Sequence, residues 1–443
     1  MSKYRSIQSS RRPPASGRRP VSRLTKGDLQ TCVEMLRTYH RQFQTFFQRR
    51  EQWRWSWLYL CGQLSELERK TIEPMVLHLL GSVRNAVRAV QQFIGRSPWP
   101  TEPMLAHLQL SIALHLGDPD GVVIADGSGF PKQGEHSVGV AHQYCGHIGK
   151  IANCQQGVFL VYASARGYTF LDERLYLPED WFVADTRARW SEWGIPTTQR
   201  FQTEPALALE MIVNLVNRAI LPFRWVACDE TYGKNPVFLA GIETLGKWYL
   251  AEVPANTRVW QHTPRVEPPG PGLWGRPRLH PRVTPTAARP QELRQLIRQL
   301  PATQWRRYTI KEGSKGPMTF EFACLRVTPV RDTLPAPRSW ALIRRSLADT
   351  PEVKFYLSNA PATCAPQALM TLSGQRWPVE TVLEEAKGEV GMDHYETRTW
   401  VGWHHHMMQT FMAHWFLVQG QLHFQKKSGH NHSSSPPIGG AST

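Results

Sequence analysis

Two short apolar runs, GVVIAD at 121–126 and RWVACD at 224–229, each close on an aspartate. Runs of this length between turn residues read as buried strands, and a chain that sets further strands and a helix between them is committed to an α/β sheet. SVGVAHQYC and QGVFLVYASA supply two such strands after the first, making three in succession. A helix follows around 205–220, where Leu207, Met211, Leu215 and Ile220 approximate one face, and KWYLAEV at 247–253 makes a fifth strand after RWVACD. Asp126 and Asp229 therefore sit at the carboxyl ends of strands, where open α/β sheets gather ligands. An isolated aspartate in that position also serves as a turn residue or helix cap, so neither is diagnostic alone.

Charge narrows the partner. The chain carries 52 Lys and Arg against 36 Asp and Glu, a formal net charge of +16. That balance suits a polyanion, nucleic acid first, or else serves only solubility. No apolar stretch approaches the roughly 18 residues that a membrane span needs. Seven cysteines, an odd number without a CxxC pair, argue against a zinc ribbon or a disulfide framework and for a reducing cytoplasm. Arg11, Arg12, Arg18, Arg19 and Arg23 among Ser and Pro give residues 1–27 the character of a disordered basic arm; a transit peptide has the same composition.

At 443 residues the chain exceeds the size at which one core stops growing, so two or more structural units are expected. Residues 28–118 read as helical, with Ser65–Glu68 as a capping box ahead of Val76, Leu80, Val83, Val87 and Val90. Arg84 and Arg88 fall on another face. Such helices either read DNA or brace a catalytic core, and Trp53, Trp55 and Trp57 either stack on bases or fill that core. Residues 256–289 are rich in Pro, Gly and Arg and read as a linker. A short helix at 292–300 and strand-like runs at RRYTIK, TFEFACLRV, WALIRRSL and VKFYLSN then suggest a β-rich insertion within 256–370. Helical pattern returns from Gln367, and 426–443 reads as a disordered tail.

Within that last helical region Arg376, Glu380 and Lys387 stand four and seven residues apart, which projects all three from one side of a helix, with Pro378 in its first turn. Read alone, this is an exposed ladder of ion pairs. Glu384 shares the face of Glu380 and competes with it. His404, His405 and His406 invite a metal reading, but consecutive helical residues diverge by about 100° and cannot close around one ion.

The phrase RWPVETVLEEAK matches the arginine, glutamate and lysine of the Y-x2-R-x3-E-x6-K motif of the DDE transposases of bacterial insertion sequences, with Ser373 where the tyrosine stands. ADGSGFPKQGEHSVGVAHQYCGHIGKIANCQQGVFLVYAS, LYLPEDW and CDETYG are similar to the first and second acidic blocks of one branch of that family, the seven-hundred-and-one group beside the insertion-sequence-four superfamily. That branch usually shows D-E-[ST]-G-F at the first acid; here Gly127 replaces the second carboxylate. The resemblance spans roughly Leu64 to Leu417.

It implies an α/β fold with a ribonuclease-H-like mixed sheet at 119–255 and 371–425, interrupted by the 256–370 linker and insertion and preceded by a helical DNA-binding domain at 28–118. It implies Asp126, Asp229 and Glu380 as catalytic, metal-binding acids, with Arg376 and Lys387 on DNA phosphates. Two Mg²⁺ or Mn²⁺ ions suit hard oxygen ligands and phosphodiester chemistry, and no zinc is expected. The partners it implies are double-stranded DNA, as terminal inverted repeats and as target, and a second copy in a homodimeric end complex; the setting is cytoplasmic, at a bacterial nucleoid. Trp305 or Trp340 would hold a displaced base. The rival readings are a domesticated, catalytically silent DNA binder and a non-transposing ribonuclease-H-like nuclease.

Overall fold

The computed structural model describes residues 25–146, 148–270, 278–313, 316–374 and 377–427. The expected basic arm, up to Leu24, and the expected tail, from Ser428, lie outside these residues, as does Arg376.

An antiparallel group opens the sheet: β1 (Val122–Pro131), β2 (Ala141–Cys145), β3 (Lys150–Ser164) and β4 (Gly167–Tyr176), with β1, β2 and β4 all paired to β3. On the other edge of β1 lies β5 (Trp225–Cys228), parallel, and then β6 (Trp248–Val253), parallel again. The order β4-β3-β1-β5-β6 with these directions is consistent with a ribonuclease-H-like fold. Nine more strands follow among the described residues: β7 (Arg258–Trp260), β8 (Val266–Glu267), β9 (Arg282–Val283), β10 (Gln291–Glu292), β11 (Arg306–Gly313), β12 (Gly316–Arg331), β13 (Leu334–Pro335), β14 (Ser339–Arg345) and β15 (Val353–Ser358). All but the β8-β9 pair continue the same sheet, through β15 antiparallel to β6, then β14 and β12.

Two expectations are corrected. Asp126 does not end its strand, because β1 keeps pairing with β3 as far as Pro131; what stops at Ala125↔Cys228 is the pairing with β5. The sequence reading also missed β4, whose Asp172, Glu173 and Arg174 interrupt the apolar pattern although the first two are buried.

The helices at the N-terminus are α1 (Lys26–Arg41), α2 (Arg50–Gln63), α3 (Ile72–Leu80), α4 (Ala86–Gly95) and α5 (Thr101–Leu116). Ser65 starts no helix: its hydroxyl donates back to the Gly62 carbonyl, closing α2, and α3 begins only after Thr71. The apolar stripe from Val76 to Val90 is broken where Gly81 and Asn85 take φ of 67° and 61°, which leaves Val83 exposed. Between β4 and β6 lie α6 (Ala184–Ala188), α7 (Trp190–Trp193), α8 (Glu204–Arg218), α9 (Glu230–Gly233) and α10 (Pro236–Thr244); α11 (Leu293–Arg298), α12 (Pro366–Ser373), α13 (Trp377–Val390) and α14 (Trp400–Lys427) follow.

α14 joins the two regions. It packs on β4 and also on α2, α4 and α5, so the N-terminal helices and the sheet share one buried cluster. Met407, Phe411 and Met412 are fully enclosed there, each contributing about 1.5–3 kcal/mol by leaving water. Polar contacts cross the same seam: Gln63 donates to Thr410 Oγ1 at 2.9 Å, and Gln409 to Ser56 at 3.0 Å. Lys70, buried, donates to the carbonyls of Gln63, Ser65 and Glu389, tying the end of α2 to the last turn of α13.

Candidate active site

The site begins where β1 loses its parallel neighbour. Ala125 and Cys228 are partners in register, so the next residues, Asp126 within β1 and Asp229 just past the end of β5, stand side by side where the parallel pairing stops. Asp229 caps α9, accepting from Thr231 N at 2.9 Å and Tyr232 N at 3.4 Å. Asp126 shares its face of the sheet with Phe159, its antiparallel partner, and, by alternation, with Phe130. Phe159 packs against Trp403 and Phe411, which places α14 on that face.

α13 covers the same face, packing on β1, β3 and β4. It buries Val379, Val382, Leu383 and Ala386 and leaves Glu380 and Glu384 exposed. The Lys387 ammonium lies 5.3 Å from the centre of the Phe130 ring; burial lowers its pKa, while Asp393 opposes that shift. Among the described residues no three His, Cys, Asp or Glu side chains stand together closely enough to enclose a metal ion. The structure thus brings Asp126 and Asp229 together and sets Glu380 in the first turn of the helix over β1.

Sequence reasoning missed Glu204, the first residue of α8, on the opposite face. Burial pushes its carboxyl up to about 7, with the charge of Asp229 acting in the same direction and a hydrogen bond to Gln156 opposing it. Tyr232, buried and one turn into α9, has its hydroxyl raised chiefly by burial and then by the charges of Glu204, Asp126 and Asp229. Negative charge is therefore crowded at this end of the sheet, and hard carboxylate oxygens of this kind suit a divalent cation. The signal for Glu204 in the sequence was only its place behind Thr203, which caps α8 by accepting from Ala206 N.

The three histidines part as their helical spacing requires. His404 meets Glu173 Oε1 at 2.7 Å, and His405 lies between the carbonyls of Ile94 and Trp99 with its ring stacked 3.6 Å from that of Trp99. His406 meets the Tyr59 hydroxyl at 2.8 Å and the Met392 carbonyl at 2.9 Å. Trp53 and Trp57 both face His40, and Trp55 carries Arg54 over its ring. Trp305 is half-buried with the Arg345 guanidinium 3.8 Å from its ring centre, and Trp340 donates to the Pro361 carbonyl.

The fold and this paired-aspartate site define an α/β protein with a carboxylate pair where two central parallel strands of a mixed sheet part. Residues 42–317 match the family model described as DDE superfamily endonuclease, and the chain belongs to that family. The matched span includes Asp126 and Asp229 and ends before Glu380. A curated relative, a probable transposase for insertion sequence element IS701 from Microchaete diplosiphon, is 27% identical over 198 residues, 44% of this chain and 47% of that protein. The chain thus matches about half the length of that relative.

Proposed function

We propose that this chain is a transposase that cuts DNA at the ends of a mobile element and joins the freed 3′-hydroxyl to target DNA. The observation that carries the reading is the meeting of Asp126 and Asp229 on adjacent parallel strands, in a member of the DDE endonuclease family. The printed name of the curated relative supports transposition in particular.

In this reading Asp126, Asp229 and Glu380 would hold divalent cations, two Mg²⁺ or Mn²⁺. Such ions, when bound, stabilise charge on the attacking and leaving oxygens of a phosphodiester. The protein's own groups do the rest. Lys387 and Arg376 hold phosphates near the cut, one as a point charge and the other in a fork. Glu380 as third acid is supported by matched spans: it lies seven residues, about 10 Å of helix, before Lys387, while Asp126 lies four residues, about 13 Å of strand, before Phe130, under the Lys387 ammonium. The arrangement requires α13 to run along β1 in the same sense.

The domain scheme follows: a ribonuclease-H-like core at 119–255 and 371–425, a linker and β-rich insertion at 256–370, and a helical region at 28–118. The exposed Arg84 and Arg88 of that region offer phosphate contacts, while its core braces α14. The enzyme would act as a homodimer on paired inverted repeats, in the cytoplasm.

One observation favours a second reading, a DNA binder that does not cut: no three acids among the described residues stand in metal-enclosing range. A plasmid carrying the DNA that flanks the coding region separates the two. With Mg²⁺, the transposase nicks it at the ends and joins them to a target; a silent binder retards the same DNA without nicking it. Nicking without joining would point to a non-transposing nuclease.

A further inference from the structure

The hairpin of β2 and β3 carries large apolar side chains into solvent. Tyr144 and Ile151 are direct partners across it, 65% and 70% exposed, and Ile148 in the turn between the strands is 39% exposed. β2 is an edge strand, and an edge that shows an apolar cross-strand pair to water invites a partner. The turn that carries these side chains is well defined: Ile148 N and Gly149 N both donate to the Cys145 carbonyl, at 3.1 and 3.0 Å, with Gly149 at a φ of 65° that favours glycine.

Charge and position identify the partner. From His136 to Leu171 the sequence holds no Asp or Glu, while His142 and Lys150 stand exposed on the hairpin. A tip made of an aromatic ring, aliphatic chains and an ammonium, without a carboxylate, fits a nucleic acid, whose bases offer flat apolar faces between phosphates. The tip is also close to the aspartates. Cys145, the last residue of β2, is seated on β1: a Cβ built at Gly129 would lie 2.5 Å from Cys145 Sγ and 3.3 Å from its Cα. Gly129 follows Asp126 in the same strand by about 10 Å. The hairpin therefore folds back over β1, and the missing side chain at 129 is what admits it.

We propose that the tip of this hairpin is a DNA contact: the Tyr144 ring, backed by Ile151, stacks on a base next to the cut, and the Lys150 ammonium holds a neighbouring phosphate. This deepens the function proposed above and rests on it. Every base has a flat π face, so Tyr144 adds affinity without reading sequence. Because Cys145 is packed on β1, the stacked base is held in a fixed place relative to Asp126.

The test uses the full-length chain and duplexes taken from the DNA that flanks the coding region, with Tyr144→Ala, Tyr144→Phe and Lys150→Ala. Both residues are exposed, so all three variants should melt as wild type does. Tyr144→Ala should bind about tenfold more weakly with the slope of log affinity against log salt unchanged, Tyr144→Phe should bind as wild type does, and Lys150→Ala should reduce that slope by about 1. Removing single bases from the duplex locates the contact: beside the cut, and not elsewhere, the losses from an abasic site and from Tyr144→Ala should fail to add. Wild-type affinity in Tyr144→Ala, or additivity at every position, would overturn the stacking, and an unchanged slope in Lys150→Ala would overturn the phosphate contact. A DNA-free protein that sediments as a dimer in wild type and as a monomer in Tyr144→Ala would also overturn the proposal, by assigning the tip to a second copy of the chain. Nicking and joining by wild type read the proposed function separately. A protein that nicks and joins but is indifferent to Tyr144→Ala loses only this inference, and one that shows the stacking without nicking keeps the contact and loses the function.

Discussion

Asp229 has two jobs in this account, and two substitutions separate them. As a cap it accepts from Thr231 N at 2.9 Å and Tyr232 N at 3.4 Å; as an acid it faces Asp126 across the strand ends. Asparagine caps about as well as aspartate, so Asp229→Asn keeps the hydrogen bonds and loses only the charge. The charge interaction with the single turn of α9 is worth about 0.3–1 kcal/mol at most. Against it stands relief of the repulsion that helps push the Glu204 carboxyl up to about 7. The net change in stability for Asp229→Asn should therefore lie within about 0.5 kcal/mol of zero, whereas Asp229→Ala, which removes the cap, should lose about 1 kcal/mol. Strand cleavage should respond differently. Losing one acid of the metal set removes several kcal/mol of charge stabilisation, and at about 1.4 kcal/mol per factor of ten both variants should cut at least about 10³-fold more slowly. Urea unfolding and plasmid nicking with Mg²⁺ on the same preparations give the two readouts. Cleavage at the wild-type rate by Asp229→Asn would refute the catalytic role, and equal destabilisation by both substitutions would refute the division between cap and acid.

Three further outcomes are expected. His40, His405 and His406 are held neutral by burial, their pKa values pushed down to about 4, about 4 and about 3. Each folded value lies below the ordinary 6.5, so the stability they contribute is fully present above about pH 6.5 and is lost as pH falls towards their folded values, with several kcal/mol at stake at about 1.4 kcal/mol per unit. The raised Glu204 carboxyl acts in the opposite sense, its contribution being lost as pH rises through about 7, so urea midpoints are best measured in the Glu204→Gln background; a profile flat down to about pH 4 would contradict the neutral histidines. Gly233→Ala would drive a methyl into the Glu252 carbonyl oxygen and displace α9 with Asp229, so a loss above about 3 kcal/mol in urea unfolding is expected, and a wild-type midpoint would show that the backbone yields there. Lys387→Ala should weaken DNA binding uniformly across sequences and reduce the slope of log affinity against log salt by about 1, and an unchanged slope would remove Lys387 from the phosphate contacts.

Much of the sheet was legible because apolar runs announce buried strands: GVVIAD, RWVACD and KWYLAEV appear as β1, β5 and β6 in the parallel arrangement that puts two aspartates together. β4 was hidden because its charged triplet breaks the apolar pattern, yet Asp172 is buried against the neighbouring Arg174 and Glu173 against His404, far along the chain. The false start at Ser65 shows the limit of a local motif: its hydroxyl serves equally well to close the preceding helix, and the buried bonds of Lys70 settle which happens. Glu204 was invisible for a related reason. Nothing near it in sequence distinguishes it from an ordinary acidic residue in a first helical turn, and only the empty side chain at Gly127, distant in the chain but on the same face of the sheet, shows where its carboxylate goes.

The ammonium of Lys70 nails down the far end of the helix that bears Glu380. Three carbonyls surround it, and one of them, from Glu389, belongs to the closing turn of α13. Sliding or rotation of α13 as a rigid rod would strip a buried cation of an acceptor, a change that costs about 1–3 kcal/mol or more. Whatever adjustment brings Glu380 to its working position must then come from the leading turn of α13, from Trp377 onward, with the trailing end acting as the anchor.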